Sequence, residues 1–353
     1  MARYVELHCH SSFSFREGAS TPLELVLQAR KLGYGALALT DHDGLAGAME
    51  FAQTAKEWDV KPIIGAEVTL RPSPPAPLPR AGEGWPKAGV RAAHLTLLAA
   101  TPRGYANLSR LLSAALLSSP RDEPALDPEA LAGKAEGLIA LSGCPQGAVP
   151  RCITQYDAAG ARRMAERYVE LFGRESFFIE LQNNLVYGDT RRNRGLVELA
   201  RELGVGIVAT NNVHYHEHER HRLQDVLVAV RHRTTLDASE RVRRKNAEFY
   251  LKSPAEMAAL FAELPEALQN TLAIAERCDP SAGSGQAPSA GSGQAPSTGS
   301  GPGFDLTKDL TYRFPDFEAP GGKSADDYLA EICRASEREL YGWSAPQIDE
   351  RLR

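Results

Sequence analysis

Seven short apolar runs that alternate with longer segments of helical periodicity constrain the fold of this chain more than any other feature. The runs are YVELH, GALALT, KPIIGAEVTL, HLTLLAA, GLIALSG, FFIELQ and GIVATNNVHY, and all of them lie before residue 216. The clearest helical segments between them are PLELVLQARKLG, LAGAMEFAQTAKEWD, GYANLSRLLSAALL, AAGARRMAERYVELFG and RRNRGLVELARELG. Strands that alternate with helices are typical of parallel β–α–β units, so we expect an α/β barrel or a doubly wound sheet.

Two segments interrupt this alternation and set the expected domain boundaries. Residues 71–89 are too rich in proline and glycine for a packed element and are interpreted as an inserted loop. Residues 281–303 contain SAGSGQAP twice in tandem, a composition typical of a flexible linker. We therefore expect one domain over residues 1–280 and a short tail over 304–353 that contains one amphipathic helix.

Composition narrows the classes of function. A hydrophobic share of 43% and a charged share of 24% are those of an ordinary soluble protein, and no apolar stretch is long enough to span a membrane. The N-terminus has no signal-peptide pattern and the five cysteines are scattered, so we expect a cytoplasmic protein with no membrane partner. The formal net charge of −5 does not indicate nucleic-acid binding by the chain as a whole. The basic run RVRRKN at 241–246 is interpreted as a solvated face.

Polar residues that can bind metal ions recur at the ends of the predicted strands. His8 and His10 are spaced i, i+2 and therefore point to one face of their strand. The others lie in or just after later runs: Asp41 and His42, Glu67, Cys144, Glu180, and the i, i+2 pair Asn212 and His214. Barrels and open α/β sheets build their sites where the carboxyl ends of the strands meet, so we expect these side chains to form one site.

The chemistry of this set suits divalent cations. Imidazole, carboxylate and one thiolate form a ligand set for Zn²⁺, or for Mn²⁺ or iron where oxygen predominates. The ligands are too many for a single ion, so we expect two or three ions, with Glu67 placed to bridge two of them. Two such ions can clamp a phosphate and stabilise both the attacking and the leaving oxygen. The arrangement therefore favours hydrolysis of a phosphate ester.

Several of these residues also have a structural interpretation. Asp41 can cap the following helix as well as it can serve the site, and Asp43 is interpreted as that cap. Glu17 can be a cap or a loop residue, and Cys144 taken alone is a small buried hydrophobe. Glu180 needs a partner if it is buried within its apolar strand, which favours a place in the site. We take Asp41 and Glu180 as the candidate catalytic residues.

Four further histidines are left outside the site by their spacing. His94 opens its apolar run instead of closing it, which predicts a loop histidine. His216, His218 and His221 lie in HYHEHERHR, which is interpreted as the solvated start of a helix.

In combination, these motifs resemble the PHP (polymerase and histidinol phosphatase) family, whose domain is a distorted seven-stranded βα barrel with a metal site. The blocks that carry the likeness are VELHCHSSFSFREGAS, ALALTDHDGLAGA, KPIIGAEVTL, LSGC and VATNNVHY. NAEFYLKSPAEM and NTLAIAERCD are similar to the family's helical segment after the barrel. The likeness is to the N-terminal PHP domain of bacterial DNA polymerase III alpha subunits, and LTYRFPDF is similar to the error-prone, translesion-type paralogue.

The resemblance implies a set of metal ligands. The set is His8, His10, Glu17, His42, Glu67, His94, Cys144 and His214, in which His94 enters through the family likeness alone. Asn212 stands where active members usually carry Asp, and an amide oxygen can touch a metal but brings no charge and bridges poorly. The implied activity is a metal-dependent 3′–5′ exonuclease. A degenerate site would instead leave the domain as a structural support for the polymerase core.

A free-standing histidinol-phosphatase-like enzyme is a further alternative, although it has no need of the YRFPDF block. The family likeness implies DNA 3′ ends, the polymerase core and other replication or translesion proteins as partners. The chain ends at Arg353, near the point where the family's palm domain begins, before any region that supplies the aspartates for nucleotide addition. We therefore expect an N-terminal fragment in which residues 304–353 begin the polymerase-core region and the tandem repeat is inserted material.

Overall fold

The computed structural model describes residues 3–71, 92–120, 123–278 and 320–341. The expected inserted loop, apart from its first residue, and the expected linker at 281–303 lie outside the described residues. Of the expected tail, only residues 320–341 are described. The chain divides into two compact units, residues 1–309 and 310–353.

The first unit is built on a mixed sheet of six strands whose spatial order follows the chain. The strands are β1 (Ala36–Leu39), β2 (Lys61–Leu70), β3 (Ala93–Ala99), β4 (Leu138–Leu141), β5 (Phe177–Gln182) and β6 (Gly206–Thr210). The sheet curls into a half-barrel. β3 runs antiparallel to both of its neighbours, whereas the other neighbouring pairs are parallel. The expectation of parallel units is therefore wrong at β3, because long-range pairing sets strand direction and local periodicity does not.

The first apolar run does not form a regular strand. Residues 4–8 and their neighbours make only isolated parallel bridges, Glu6 with Leu37 and Cys9 with Val213. The segment thus pairs with β1 at one end of the sheet and with the chain just beyond β6 at the other. The prediction of seven strands is not confirmed in the described part of the chain.

All five helical segments predicted from apolar periodicity form helices in the structure. The helices of the first unit are α1 (Pro22–Lys31), α2 (Ala48–Glu57), α3 (Pro102–Ser118), α4 (Ala148–Thr154), α5 (Ala158–Phe172), α6 (Asp189–Leu203), α7 (His221–Arg231), α8 (Pro254–Leu260) and α9 (Pro265–Arg277). Local signals set several ends, such as the capping box of Thr21 and Glu24 that begins α1. The second unit contains α10 (Ala325–Tyr341). Among the described residues, no helix combines the length and the apolar character needed to cross a membrane.

The sheet is buried on both faces, which leaves the ends of its strands for polar residues. Successive side chains of a strand point to opposite faces. Leu37 and Leu39 of β1 accordingly join the larger apolar cluster with residues of the surrounding helices, such as Phe51 of α2. Ala36 belongs to a smaller cluster that includes Ile274 of α9. Helix α9 therefore covers the face that the other helices leave open.

Candidate metal centre

The two N-terminal histidines are held so that one ring nitrogen of each faces a common point. His8 Nδ1 lies 2.6 Å from Glu180 Oε1, and His10 Nδ1 lies 3.2 Å from the Ser14 hydroxyl oxygen. The two Nε2 atoms lie 3.1 Å apart, and both side chains are fully buried. When a neighbouring residue accepts a hydrogen bond from one nitrogen of an imidazole, the other nitrogen keeps its lone pair for a metal ion. This arrangement is typical of metal-binding histidines.

Glu67 of β2 stands at the centre of the cluster. Its Oε1 lies 3.2 Å from His94 Nδ1 and 3.5 Å from His8 Nε2. Its Oε2 lies 3.1 Å from His42 Nε2 and 3.5 Å from His10 Nε2. The carboxylate is buried, yet Oε1 has no hydrogen-bond partner. Each oxygen therefore faces two imidazole nitrogens, which is the placement that a bridging ligand needs.

His94 belongs to this cluster because of the direction of β3. β3 is antiparallel to β2 and pairs His94 with Thr69, so its first residues lie beside the carboxyl end of β2. His94 Nδ1 lies 3.3 Å from Cys144 Sγ. The expectation of a loop histidine is wrong, since it assumed that β3 ran parallel to its neighbours.

The remaining predicted ligands surround the same point. Glu17 Oε2 lies 2.8 Å from His42 Nε2, and the ring of His214 lies 4.4 Å from that of His10. Asn212 has a left-handed backbone, with φ 49°, and its buried Oδ1 lacks a hydrogen-bond partner. Three overlapping groups have donor atoms within 4.8 Å of one another: His10, His42 and His214; His8, His10 and Glu67; His42, Glu67 and His94. The fold thus brings all nine candidate residues together, and their binding of metal stays a prediction.

Asp41, a candidate catalytic residue, reaches the histidines through Ser14. Its carboxylate accepts hydrogen bonds from the main-chain N–H of Ser11 and from the Ser14 hydroxyl, both at 2.7 Å. Because the Ser14 hydroxyl donates its only hydrogen to Asp41, it can only accept from His10 Nδ1. Asp41 therefore fixes the tautomer of His10 through Ser14 and leaves Nε2 of that ring as the atom with a lone pair.

Glu180, the other candidate catalytic residue, holds His8 from behind. Besides its contact with His8, Oε1 accepts hydrogen bonds from the Gln182 amide at 2.7 Å and from the Thr210 hydroxyl. Burial alone would lower the pKa of His8, but the carboxylates of Glu180 and Glu67 raise it well above its ordinary value. Neither Glu180 nor Asp41 lines the cavity, so both are placed to position histidines and not to touch a substrate.

The interpretation of Asp41 or Asp43 as a helix cap is wrong. Helix α2 begins after Gly47, later than expected, and that residue makes no side-chain capping bond. Asp43 instead accepts hydrogen bonds from the main-chain N–H and the hydroxyl of Thr69, both at 2.7 Å. The carboxylate therefore ties the loop after β1 to β2, because tertiary contacts supply it with donors from another strand.

The protonation states of most of the cluster suit metal binding. Burial, together with the neighbouring imidazoles, lowers the pKa of His10 well below its ordinary value. Burial likewise lowers the pKa of His214, and it lowers that of His42 to about 4. Burial alone would raise the pKa of Glu67, but the surrounding imidazoles, His94 first, hold it well below its usual range. Neutral imidazoles and an ionised carboxylate are the forms that ligate divalent cations.

The cluster opens into a cavity of about 800 Å³ with a basic wall. The wall includes Arg16, Arg192, Arg231, Arg243, Arg244 and Lys245. Three of these belong to the run RVRRKN, whose interpretation as a solvated face is wrong for Arg244 in particular. The guanidinium of Arg244 contacts His214 Nε2. No periodicity or spacing in the sequence singles out this arginine or Ser14, since only the fold brings them to the histidines.

His216, His218 and His221 do not belong to these groups. His221 is the first residue of α7, and the side chain of His218, three residues earlier, is exposed. This agrees with the predicted solvated start of a helix. His216 Nδ1 lies 2.7 Å from the Ser20 hydroxyl oxygen.

Fold and pocket together define the chain as an α/β protein with a histidine-rich candidate metal site at the ends of its strands. The sequence profile of the PHP domain matches residues 6–184, about half of the chain. The chain belongs to the PHP domain family.

Two relatives of the chain are DNA polymerases. The chain is 37% identical to an error-prone DNA polymerase of Symbiobacterium thermophilum, in an alignment that covers 99% of this chain and 30% of that protein. It is 40% identical to a DNA polymerase III subunit alpha of Treponema pallidum, over 79% of this chain and 24% of that protein. The chain thus spans less than a third of the length of these curated relatives. The solved structure of an amidohydrolase from Chromobacterium violaceum is similar to this chain at 17% identity and a TM-score of 0.38. The superposition covers 60% of this chain and 87% of that protein.

Proposed function

We propose that this chain is the N-terminal PHP region of an error-prone DNA polymerase III alpha-type enzyme. We further propose that its pocket is the active site of a metal-dependent phosphoesterase, which removes nucleotides from 3′ ends of DNA. The observation that carries the phosphoesterase proposal is the geometry of Glu67, whose two carboxylate oxygens each face two imidazole nitrogens within 3.5 Å. The partners in this proposal are DNA, the polymerase core and other replication or translesion proteins in the cytoplasm.

The residues of the pocket fit a cluster of two or three divalent ions, with Zn²⁺ or Mn²⁺ as the candidates. Glu67 Oε1 and Asn212 Oδ1 are buried without hydrogen-bond partners, which is costly unless a ligand satisfies them. The proposed ligands are His8, His10, Glu17, His42, Glu67, His94, Cys144, Asn212 and His214. Imidazole nitrogen and one sulfur favour zinc, whereas the carboxylates also suit manganese.

The chain's own residues prepare this site in two ways. Glu180 and the Asp41–Ser14 pair fix the orientation of His8 and His10. The arginines of the cavity wall attract a polyanion, although the formal net charge of the whole chain is −5. Bound divalent ions would withdraw electron density from the phosphoryl group and lower the pKa of a water nucleophile.

The rim of the cavity suits a nucleic acid with unpaired bases. Phe13 and Phe15 line the cavity with 40% and 78% of their surfaces exposed, and Arg16 lies over the ring of Phe15. Exposed aromatic rings beside basic groups are the usual platform for stacking the bases of a single strand.

The test is hydrolysis of a 3′-labelled single-stranded DNA by the purified chain with Mn²⁺ or Zn²⁺. We expect release of mononucleotides that is abolished by His8→Ala and retained by His218→Ala, a matched change at an exposed histidine outside the cluster. Equal turnover by the parent and His8→Ala, or no turnover at all, would reject the proposal. Turnover of histidinol phosphate without activity on DNA would favour the small-molecule alternative.

A second candidate function follows from Asn212. Its neutral amide stands in the cavity wall where the family resemblance implies a carboxylate, so the site can bind fewer ions and the domain can serve as a support for the polymerase core. Elemental analysis distinguishes the two functions. Fewer than two tightly bound ions per chain, with activity gained in Asn212→Asp, would favour the structural role.

A further inference from the structure

We propose that Arg244 binds the phosphate group of the substrate in this pocket, an inference that rests on the phosphoesterase function proposed above. The residue lies 30 positions beyond His214, in a segment after α7 that carries none of the candidate ligands. The fold nevertheless places its guanidinium group against the cluster, in contact with His214 Nε2.

Among the described residues, Arg244 lacks the carboxylate partner that most of the other arginines of the cavity wall have. Three of the other arginines each pair with an acidic side chain: Arg192 with Asp189, Arg231 with Glu17 and Arg243 with Asp225. In the described ranges, no carboxylate lies within ion-pair distance of Arg244. A cation that is shielded from solvent and has no counter-charge is unfavourable. The position of Arg244 therefore favours the binding of a ligand that carries a negative charge.

The guanidinium of Arg244 packs on an aromatic ring. Its central carbon lies 4.3 Å from the centre of the Phe249 ring, a distance typical of a cation–π contact. Its Nε is shielded from solvent and has no hydrogen-bond partner. A planar guanidinium offers two parallel N–H groups, and these match two oxygens of a phosphate.

The contact with His214 ties Arg244 to the ligand cluster. His214 Nδ1 donates to the main-chain oxygen of Asn212 at 2.8 Å, so its Nε2 carries the lone pair that accepts from Arg244. A divalent ion that uses His214 as a ligand needs the same lone pair. Binding of the ion would therefore release the arginine's N–H group to the cavity, and phosphate binding should depend on metal.

Arg16 is the competing candidate, since its Nε also lacks a partner. It lies at the rim, with its guanidinium carbon 5.4 Å from the centre of the exposed Phe15 ring. Among the described residues it has no hydrogen bond or ion pair with the histidines of the cluster. Arg244, in contrast, has a hydrogen bond to His214 of the cluster, which makes it the stronger candidate.

The test measures binding of inorganic phosphate by calorimetry to the full chain, with and without Mn²⁺, alongside elemental analysis of bound metal. Loss of a charged hydrogen-bond donor corresponds to a weakening of about 10- to 150-fold, which we expect for Arg244→Gln. Arg244→Lys keeps the charge but loses the paired donors, so we expect an intermediate affinity. Arg241→Gln is the matched control, because it changes an exposed arginine of the same run that does not line the cavity.

Unchanged phosphate affinity in whichever Arg244 variant folds, or a parent that does not bind phosphate with Mn²⁺ present, would overturn the proposal. Loss of phosphate affinity at normal metal content would support it. If that loss occurs while no variant or parent hydrolyses DNA, the phosphate site stands and the proposed exonuclease function fails.

Discussion

Replacing Glu180 by glutamine should weaken metal binding without a direct change to any proposed ligand. The substitution keeps the shape of the side chain but removes the negative charge that faces His8 Nδ1 at 2.6 Å. The amide oxygen can take the position of Oε1 and keep its other donors. The amide nitrogen would then occupy the place of Oε2, which is buried and has no hydrogen-bond partner.

The expected magnitude follows from these contacts. A hydrogen bond to a charged group contributes about 1.5–3 kcal/mol, which corresponds to a factor of about 10–150 in a dissociation constant. Substitution of residues that hold metal-binding histidines weakens affinity by about 10- to 100-fold, in the same range. The unpaired amide nitrogen should in addition lower the free energy of unfolding by about 1–3 kcal/mol.

The assay is competition for Zn²⁺ between the protein and a chelator of known affinity, together with urea unfolding of the metal-free chain. The control is Glu6→Gln, the same change at an equally buried carboxyl. Glu6 accepts from the Tyr4 hydroxyl and the main-chain N–H of His8 and touches no imidazole ring through these bonds, so metal affinity should change less. Affinity in Glu180→Gln within about twofold of the parent would refute the assignment of Glu180 as a positioning residue.

Three further predictions test the site and its support. Dialysis against a chelator should lower the midpoint of thermal unfolding, because an ion at 100 times its dissociation constant contributes about 2.7 kcal/mol; an unchanged midpoint would argue against a bound metal. Ser14→Ala removes the partner of His10 Nδ1 and should lower the metal affinity about tenfold, and normal metal content after chelator competition would contradict this. Gly104→Ala should cost about 1–3 kcal/mol in urea unfolding, because the new Cβ would lie 1.9 Å from the Gly137 carbonyl oxygen. Gly35→Ala meets no atom within 4 Å and is the control, so equal losses in the two variants would contradict the steric argument.

Much of the candidate site can be predicted from the sequence, because most of its residues lie in short motifs at the ends of predicted strands. The i, i+2 spacing of His8 and His10 and the position of Glu67 late in its run predict their convergence without any knowledge of the fold. The five helices predicted from periodicity are equally local, since apolar periodicity and caps such as Thr21 are properties of a few consecutive residues.

Only the tertiary structure decided the rest, because it depends on contacts between residues far apart in the chain. The antiparallel direction of β3 brought His94 to the cluster, and no local pattern encodes a strand's direction. The partners of Asp41 and Asp43 are donors supplied by Ser14 and Thr69, which replaced the helix-capping role that their spacing suggested. Arg244 sits in a charged run whose pattern is that of a solvated face, and only the fold turns its guanidinium towards the histidines.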